Sequence, residues 1–307
     1  MPRIDGINYV FPGAHRPSRT RRVDAHGVDI AVYEWGPPGN PPIALMHGGL
    51  DFAATFDLLA PLLVESGYRP VAWDQRGHGE SARAALYSWQ ADLRDAVAVL
   101  ETVSSEPIPM VGHSKGGMMA MFLAEALPGR FSHVVNIDGV PTPKSAVTDV
   151  SDQDRPDELA SGHEAWLDRR RLSAVAKRKP GSVDDLARRR HRLNPRLPIG
   201  WLRYLAAIGS TNDGDGHRWK LDPSIPVGGF GPRRSQWAMQ VMTSLSEPLL
   251  ALVSTVDEPM GWHIDPDEVA PFLPPRGVLE VIEGGHFLHL EQPEELRRLI
   301  VDFVAAP

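Results

Sequence analysis

The 307-residue sequence contains no cysteine. That absence removes disulfides, thiolate metal sites and cysteine nucleophiles together, so any covalent chemistry falls to another side chain. Nor is there a stretch of about 18 consecutive apolar residues, the length a membrane-crossing helix needs. Met1-Pro2-Arg3-Ile4-Asp5 opens no apolar run of signal-peptide length. A soluble, cytoplasmic protein with no membrane partner is therefore expected. Excess positive charge is lacking too. The 32 Lys and Arg against 39 Asp and Glu leave −7, the opposite of the basic surface that neutralises phosphates, so nucleic acid is not an expected partner. No internal repeat, dinucleotide-binding glycine fingerprint or phosphate loop is visible, and no cofactor is implied. The 28 Gly and 29 Pro stay below the share of about 25–30% that marks low complexity. With 42% hydrophobic residues, the chain is long enough for one large or two ordinary folded domains.

What is present is a strand–helix rhythm. Alternating residues on either side of Ala25-His26-Gly27-Val28 predict a β-hairpin ending near Trp35. Ile43-Ala44-Leu45-Met46, Pro70-Val71-Ala72-Trp73, Pro107 to Val111 and Val134 to Ile137 are short apolar runs suited to strands buried on both faces. Between them, Phe56, Leu59, Leu62 and Leu63, then Trp89 to Val103, then Gly116 to Leu127 carry helical spacing. Such alternation implies a mainly parallel sheet flanked by helices, an α/β fold.

The character changes after Asp138-Gly139-Val140-Pro141. Residues 141–240 hold 18 Lys and Arg against 12 Asp and Glu, a net of +6 that leaves −13 for the remainder. Basic runs occur at Arg169-Arg170-Arg171 and Arg188-Arg189-Arg190, and Trp166, Trp201, Trp219 and Trp237 lie here. This segment reads as an inserted helical cap, with the core formed by residues 1–140 and 241–307. The rhythm resumes at Pro248 to Val253 and Val278 to Ile282, and a helix over Pro293 to Val304 closes the chain.

Gly112-His113-Ser114-Lys115-Gly116 satisfies a G-x-S-x-G pattern between a predicted strand and a predicted helix. That context gives the pattern meaning. A serine on so sharp a turn projects its hydroxyl above the sheet, and the small residues two before and two after it relieve crowding. The Lys115 backbone N–H, at the helix start, can stabilise a developing oxyanion.

With these residues the chain resembles the α/β-hydrolase fold family, over nearly its whole length. His47-Gly48-Gly49 stands where the family has its first oxyanion-hole loop. Asp74-Gln75-Arg76-Gly77-His78-Gly79-Glu80-Ser81 matches its D-x-R-G-x-G-x-S turn. Ser114 lies at the nucleophile elbow, and Gly284-Gly285-His286-Phe287 resembles the loop of the catalytic histidine.

The resemblance implies Ser114 as nucleophile, His286 as general base, and Gly49 and Lys115 as backbone donors of an oxyanion hole. For the acid it points first to Asp257, in Ser254-Thr255-Val256-Asp257, where serine replaces the usual glycine. Asp138, at the end of the strand before the insertion, is the alternative, and Glu258 a third. His289 is the competing base. A zinc site at His286 and His289 is not expected, for no carboxylate-rich motif joins them. Arg76 and His78 read as structural parts of their turn. The arginine runs read as solvated faces or ion pairs with the acidic body, and Trp201, Trp219 and Trp237 as pocket or packing residues.

Haloalkane dehalogenases and epoxide hydrolases similar over the core use Asp at the elbow, so Ser114 points away from both. The implied activity is ester or lactone hydrolysis through an acyl-enzyme, on a small-molecule substrate entering under the cap. Thioester, amide or carbon–carbon cleavage, and a hydrolase-like small-molecule receptor, stay open alternatives. So does homo-oligomerisation.

Overall fold

A computed structural model describes residues 3–4, 6–142, 155–227 and 235–306. Residues 143–154 and 228–234 of the expected insertion thus lie outside the described residues. The predicted hairpin forms as β1 (Arg19–Asp24) and β2 (Asp29–Glu34). The apolar runs become β3 (Pro42–Met46), β4 (Arg69–Trp73), β5 (Ile108–His113), β6 (Phe131–Ile137), β7 (Leu249–Ser254) and β8 (Gly277–Ile282). They build one eight-stranded sheet in the order β8-β7-β6-β5-β3-β4-β2-β1. β2 runs antiparallel to β1 and β4, and the other neighbours are parallel.

Period-two alternation explains why these strands need cover on both sides. In β3, Ile43 and Leu45 face α1 (Leu59–Glu65) and the C-terminal helix Pro293–Ala305, through Leu59, Leu63, Leu296 and Ile300. Ala44 and Met46 face the opposite layer, built from α2 (Trp89–Glu101) and α3 (Lys115–Ala126), with Val99, Leu100, Met119 and Leu123. The sheet is thereby the middle of three layers.

Between β6 and β7 the chain leaves the sheet. It forms α4 (Arg155–Val175), α5 (Val183–His191) and α6 (Ile199–Gly209), then a short antiparallel pair, Ser210–Asn212 with His217–Trp219. Ser182 starts α5 with a reciprocal capping box to Asp185. Trp201, Tyr204 and Leu205 of α6 pack with Phe52, Leu58 and Phe287, which places this helix over loops that follow the strands. The boundary expected at 240/241 falls inside α7 (Ser235–Ser244), whose Met239 and Met242 belong to the core layer of α2 and α3. Among the described residues no helix is long and apolar enough to cross a membrane.

The antiparallel end of the sheet is clamped by one buried carboxylate. Glu34 in β2 accepts from Arg21 Nε of β1 at 2.7 Å and from Arg69 Nη1 of β4 at 2.8 Å. Burial would push the Glu34 carboxyl up, but the bonds from Arg21 and Arg69 outweigh it and hold the group below its ordinary value of 4.5. Stability from this clamp is therefore complete above about pH 4.5 and is lost as the pH falls through the folded-state value. Glu34→Ala should cost about 3 kcal/mol, since it strands two part-buried cations. Urea melts at pH 7 and pH 3.5 should show that cost shrinking at the lower pH.

Candidate active site

β3 and β5 are neighbours, yet the chain leaves β3 towards β4 and returns to β5 on the other side. Loops diverging from adjacent carboxyl ends open a crevice, the usual ligand position in such sheets. Ser114 stands at the end of β5. Its backbone is held at φ 53° and ψ −121°, a conformation that costs about 1–3 kcal/mol for a non-glycine residue. Bonds on both sides hold it: its N–H donates to Ile137 O at 2.8 Å, and its carbonyl accepts from Met118 N–H at 3.1 Å. Close backbone approach explains the flanking glycines. A Cβ on Gly112 would stand 2.2 Å from Gly116 O, and one on Gly116 would stand 2.2 Å from Met46 O.

His286 lies in the loop after β8, and its Nδ1 is 2.6 Å from Asp138 Oδ2. An ionised carboxylate only accepts, so Nδ1 carries a proton, and in the neutral ring the lone pair is then on Nε2. The loop is fixed at its backbone as well. His286 N–H donates to Glu258 Oε2 at 3.0 Å, and His113 Nε2 donates to the His286 carbonyl at 2.8 Å. Asp138 follows β6 with φ 49° and is 2% exposed. Its second oxygen accepts from Ser254 N–H at 2.8 Å, and its own N–H donates to Leu252 O at 2.7 Å.

The expectation for Asp257 is corrected by this geometry. Beyond β7, Thr255 N–H still bonds Ile282 O and Val256 N–H bonds Gly284 O. This extension carries Asp257 out to solvent, where its exposed carboxylate pairs with His263 at 3.1 Å. The structure therefore brings Asp138, the alternative, to His286. Glu258 reaches the histidine's backbone rather than its ring.

Gly49 follows β3 and Lys115 opens α3, so the Lys115 N–H has no acceptor within its helix. Both residues line one cavity of about 590 Å³ together with Ser114 and His286. The loop of Gly49 is fastened from behind. Gln75 N–H donates to His47 Nε2 at 2.9 Å, and Gln75 Nε2 donates to His47 O at 2.7 Å. Burial holds the His47 imidazole down to about 3, which keeps it neutral. The Lys115 ammonium donates to Gln75 Oε1 at 2.8 Å and Asp92 Oδ2 at 2.7 Å, placing an ion pair in the cavity wall.

The remaining expectations sort by location. Arg76 forms a two-pronged bond to Asp95, at 2.7 Å on each prong, and donates to Leu86 O, while His78 is bonded through Nδ1 to Arg76 O. His289 is fully buried against Phe56 and His113 and held down to about 3 by burial, away from the cavity lining. In the second basic run Arg188 pairs with Asp184 and Asp185, and Arg190 with Asp51.

Trp201 packs inside the insertion's contact with the core, Trp219 lies beside Phe52, and Trp237 is exposed. The apolar walls instead come from Met118, Ile225, Pro226, Met260, Trp262 and Phe287, with Trp89 on the Lys115 side. Trp262 sits 5.8 Å from the His286 ring. Sequence reasoning missed Met260 and Trp262, three and five residues beyond Asp257. Among the described residues no three His, Asp or Glu side chains could hold a metal ion.

A family model described as alpha/beta hydrolase fold matches residues 41–293. A serine hydrolase-like protein of Dictyostelium discoideum is 33% identical over 36% of this chain and 32% of its own length. Epoxide hydrolase A of Mycobacterium tuberculosis is 36% identical over 32% of each chain. The chain thus spans about a third of the length of these two relatives. A thioesterase domain from the curacin biosynthetic pathway superposes with a TM-score of 0.78 at 22% identity, over 92% of this chain and 99% of that one, a likeness of fold.

The tight elbow makes a direct prediction. Gly116→Ala forces a methyl group onto the Met46 carbonyl, so it should destabilise the protein by about 1–3 kcal/mol. Thermal melts beside Gly129→Ser, at a glycine with open space around it, should separate steric overlap from the cost of a left-handed backbone alone.

Proposed function

The chain belongs to the α/β-hydrolase fold family, and we propose that it is a serine hydrolase that cleaves a carboxylic ester or lactone through an acyl-enzyme. The observation that carries this reading is the buried Asp138–His286 pair, whose histidine lines one cavity with the strained Ser114. Nδ1 of His286 is committed to Asp138, so Nε2 is the nitrogen left to take the Ser114 proton as the hydroxyl attacks the carbonyl carbon. The backbone N–H groups of Gly49 and Lys115 meet the oxygen that becomes negative, each donor being worth about 2.7–4 kcal/mol in the transition state. The imidazolium then protonates the leaving alkoxide. A water deprotonated by the same Nε2 attacks the acyl-enzyme carbonyl, and as the bond to Oγ breaks the imidazolium returns that proton to Ser114, releasing the acid.

The cavity suits such a substrate. Met118, Met260 and Trp262 offer an apolar wall, while the Lys115–Asp92 pair offers a polar one. Residues 141–240 act as the cap in this reading, and Ile225 and Pro226 from that segment line the cavity. A cavity of about 590 Å³ is of the size that takes a small-molecule substrate. Serine at position 114 supports acyl transfer rather than the Asp-based chemistry implied for epoxide hydrolases.

A fluorophosphonate probe should label the protein at Ser114 only, and intact-mass spectrometry with peptide mapping would locate the adduct. Failure to label would sink the reading. Ser114→Ala and His286→Ala should each abolish turnover of a panel of p-nitrophenyl esters. Asp138→Asn should lower kcat about 10⁴-fold, because it removes the acceptor that fixes the histidine tautomer. Asp257→Asn should stay within about twofold of the parent, and a reversed order would overturn the role given to Asp138.

A further inference from the structure

The insertion is stitched to the core at the Gly77–Gly79 turn. Gly79 N–H donates to Lys220 O at 2.8 Å, and Asp222 N–H donates to Gly77 O at 2.8 Å. His78 of this turn lines the active-site cavity, whereas Gly79 lines a second cavity of about 470 Å³ that shares no residue with the first. Five cations surround the second cavity: Arg83, Lys177, Arg178, Arg218 and Lys220, against the carboxylates Glu80 and Asp213.

Two of these cations are already neutralised. Arg218 is bound to Asp213 and Asp215, and Lys220 to Glu80. The others are not. Among the described residues Arg178 donates only to the carbonyls of Leu221 and Asp222, at 3.3 Å each, through Nε and Nη2. Among the described residues no carboxylate lies within 4.0 Å of it. Burial pulls its guanidinium below the ordinary arginine value, and the attraction of Asp222 opposes this only in part. Lys177 beside it is exposed and has no ion-pair partner among the described residues. Arg83 reaches Asp222 only at 3.8 Å, with 73% of its side chain exposed.

A part-buried guanidinium whose neighbouring carboxylate, Asp222, is shared with Arg83 has its charge only partly met, and its Nη1, which has no hydrogen-bond partner among the described residues, matches the oxygens of a tetrahedral anion. We propose that this second cavity binds a phosphoryl group, anchored by Arg178 and closed over by Lys177 and Arg83. Thr211 and Trp219 complete the wall, a hydroxyl for a further oxygen and a ring for whatever the phosphoryl group carries. Because Lys177 and Arg178 follow α4 while Gly79 to Arg83 belong to the core, the bound anion fastens the insertion to the core beside the active-site cavity.

Isothermal titration of the full chain with inorganic phosphate, pyrophosphate and ADP, at constant ionic strength, tests this site. Saturable binding is expected, weakened at least tenfold in Arg178→Gln and several-fold in Lys177→Gln. Arg188→Gln, on an exposed face outside the cavity, should bind like the parent. Phosphate as tight as ADP would assign the free anion as ligand. Tighter ADP would assign an organic phosphate lying on Trp219. The proposal is overturned if none of the three binds saturably, or if Lys177→Gln, an exposed change that leaves folding intact, and Arg178→Gln both bind like the parent.

Discussion

The bond between the His286 ring and the Asp138 carboxylate draws four strand ends to one point. Asp138 ends β6, and its other oxygen and its N–H hold the end of β7 through Ser254 and Leu252. His286 comes from beyond β8, and His113, at the end of β5, takes hold of its carbonyl. Ser114 and Asp138 are both non-glycine residues in left-handed backbone, placed just after neighbouring strands. Such strain persists only where surrounding structure over-determines it. Here the surrounding structure is the doubly covered sheet, whose buried strands leave their ends no freedom to relax.

The insertion depends on the same platform. It is tied down by Tyr204 to Asp57 at 2.6 Å, by Tyr87 to Asp222 at 2.8 Å and by Arg190 to Asp51 at 3.0 Å, besides the backbone stitch at Gly77 and Gly79. Each bond joins a buried core group to the segment that carries the positive balance. Of these only Arg190–Asp51 joins opposite charges of the two parts, and it lies shielded, where salt screens it less than the exposed pairs Arg196–Glu291 and Lys220–Glu80.

Much of this was legible in the sequence, for physical reasons that differ by element. Runs such as Ile43 to Met46 must be sheltered on both sides, so periodicity alone marks them as interior strands. The Ser114 elbow was legible because a polar residue flanked by glycines two before and two after, between strand and helix, is what so tight a turn admits. The partner of His286 was not, because the order along the chain allows both Asp257 and Asp138 and the family resemblance pointed first to Asp257. What decides is that hydrogen bonding continues past Ser254 to Gly284 and turns Asp257 outward. The cavity walls were hidden for a similar reason. Met260 and Trp262 sit in an irregular loop, and periodicity carries no information about which way its side chains face.

The crowd of buried imidazoles around the site has one more consequence. His47 and His289 are both held down to about 3 by burial, whereas the unfolded chain titrates near 6.5. Between those values the unfolded state binds protons that the folded state refuses, at about 1.4 kcal/mol per pH unit for each histidine. Acid therefore erodes the fold from the inside, starting at the loop that holds Gly49 and the packing that holds His286. The protein carries in its own interior an upper limit on the acidity of any compartment in which it can persist.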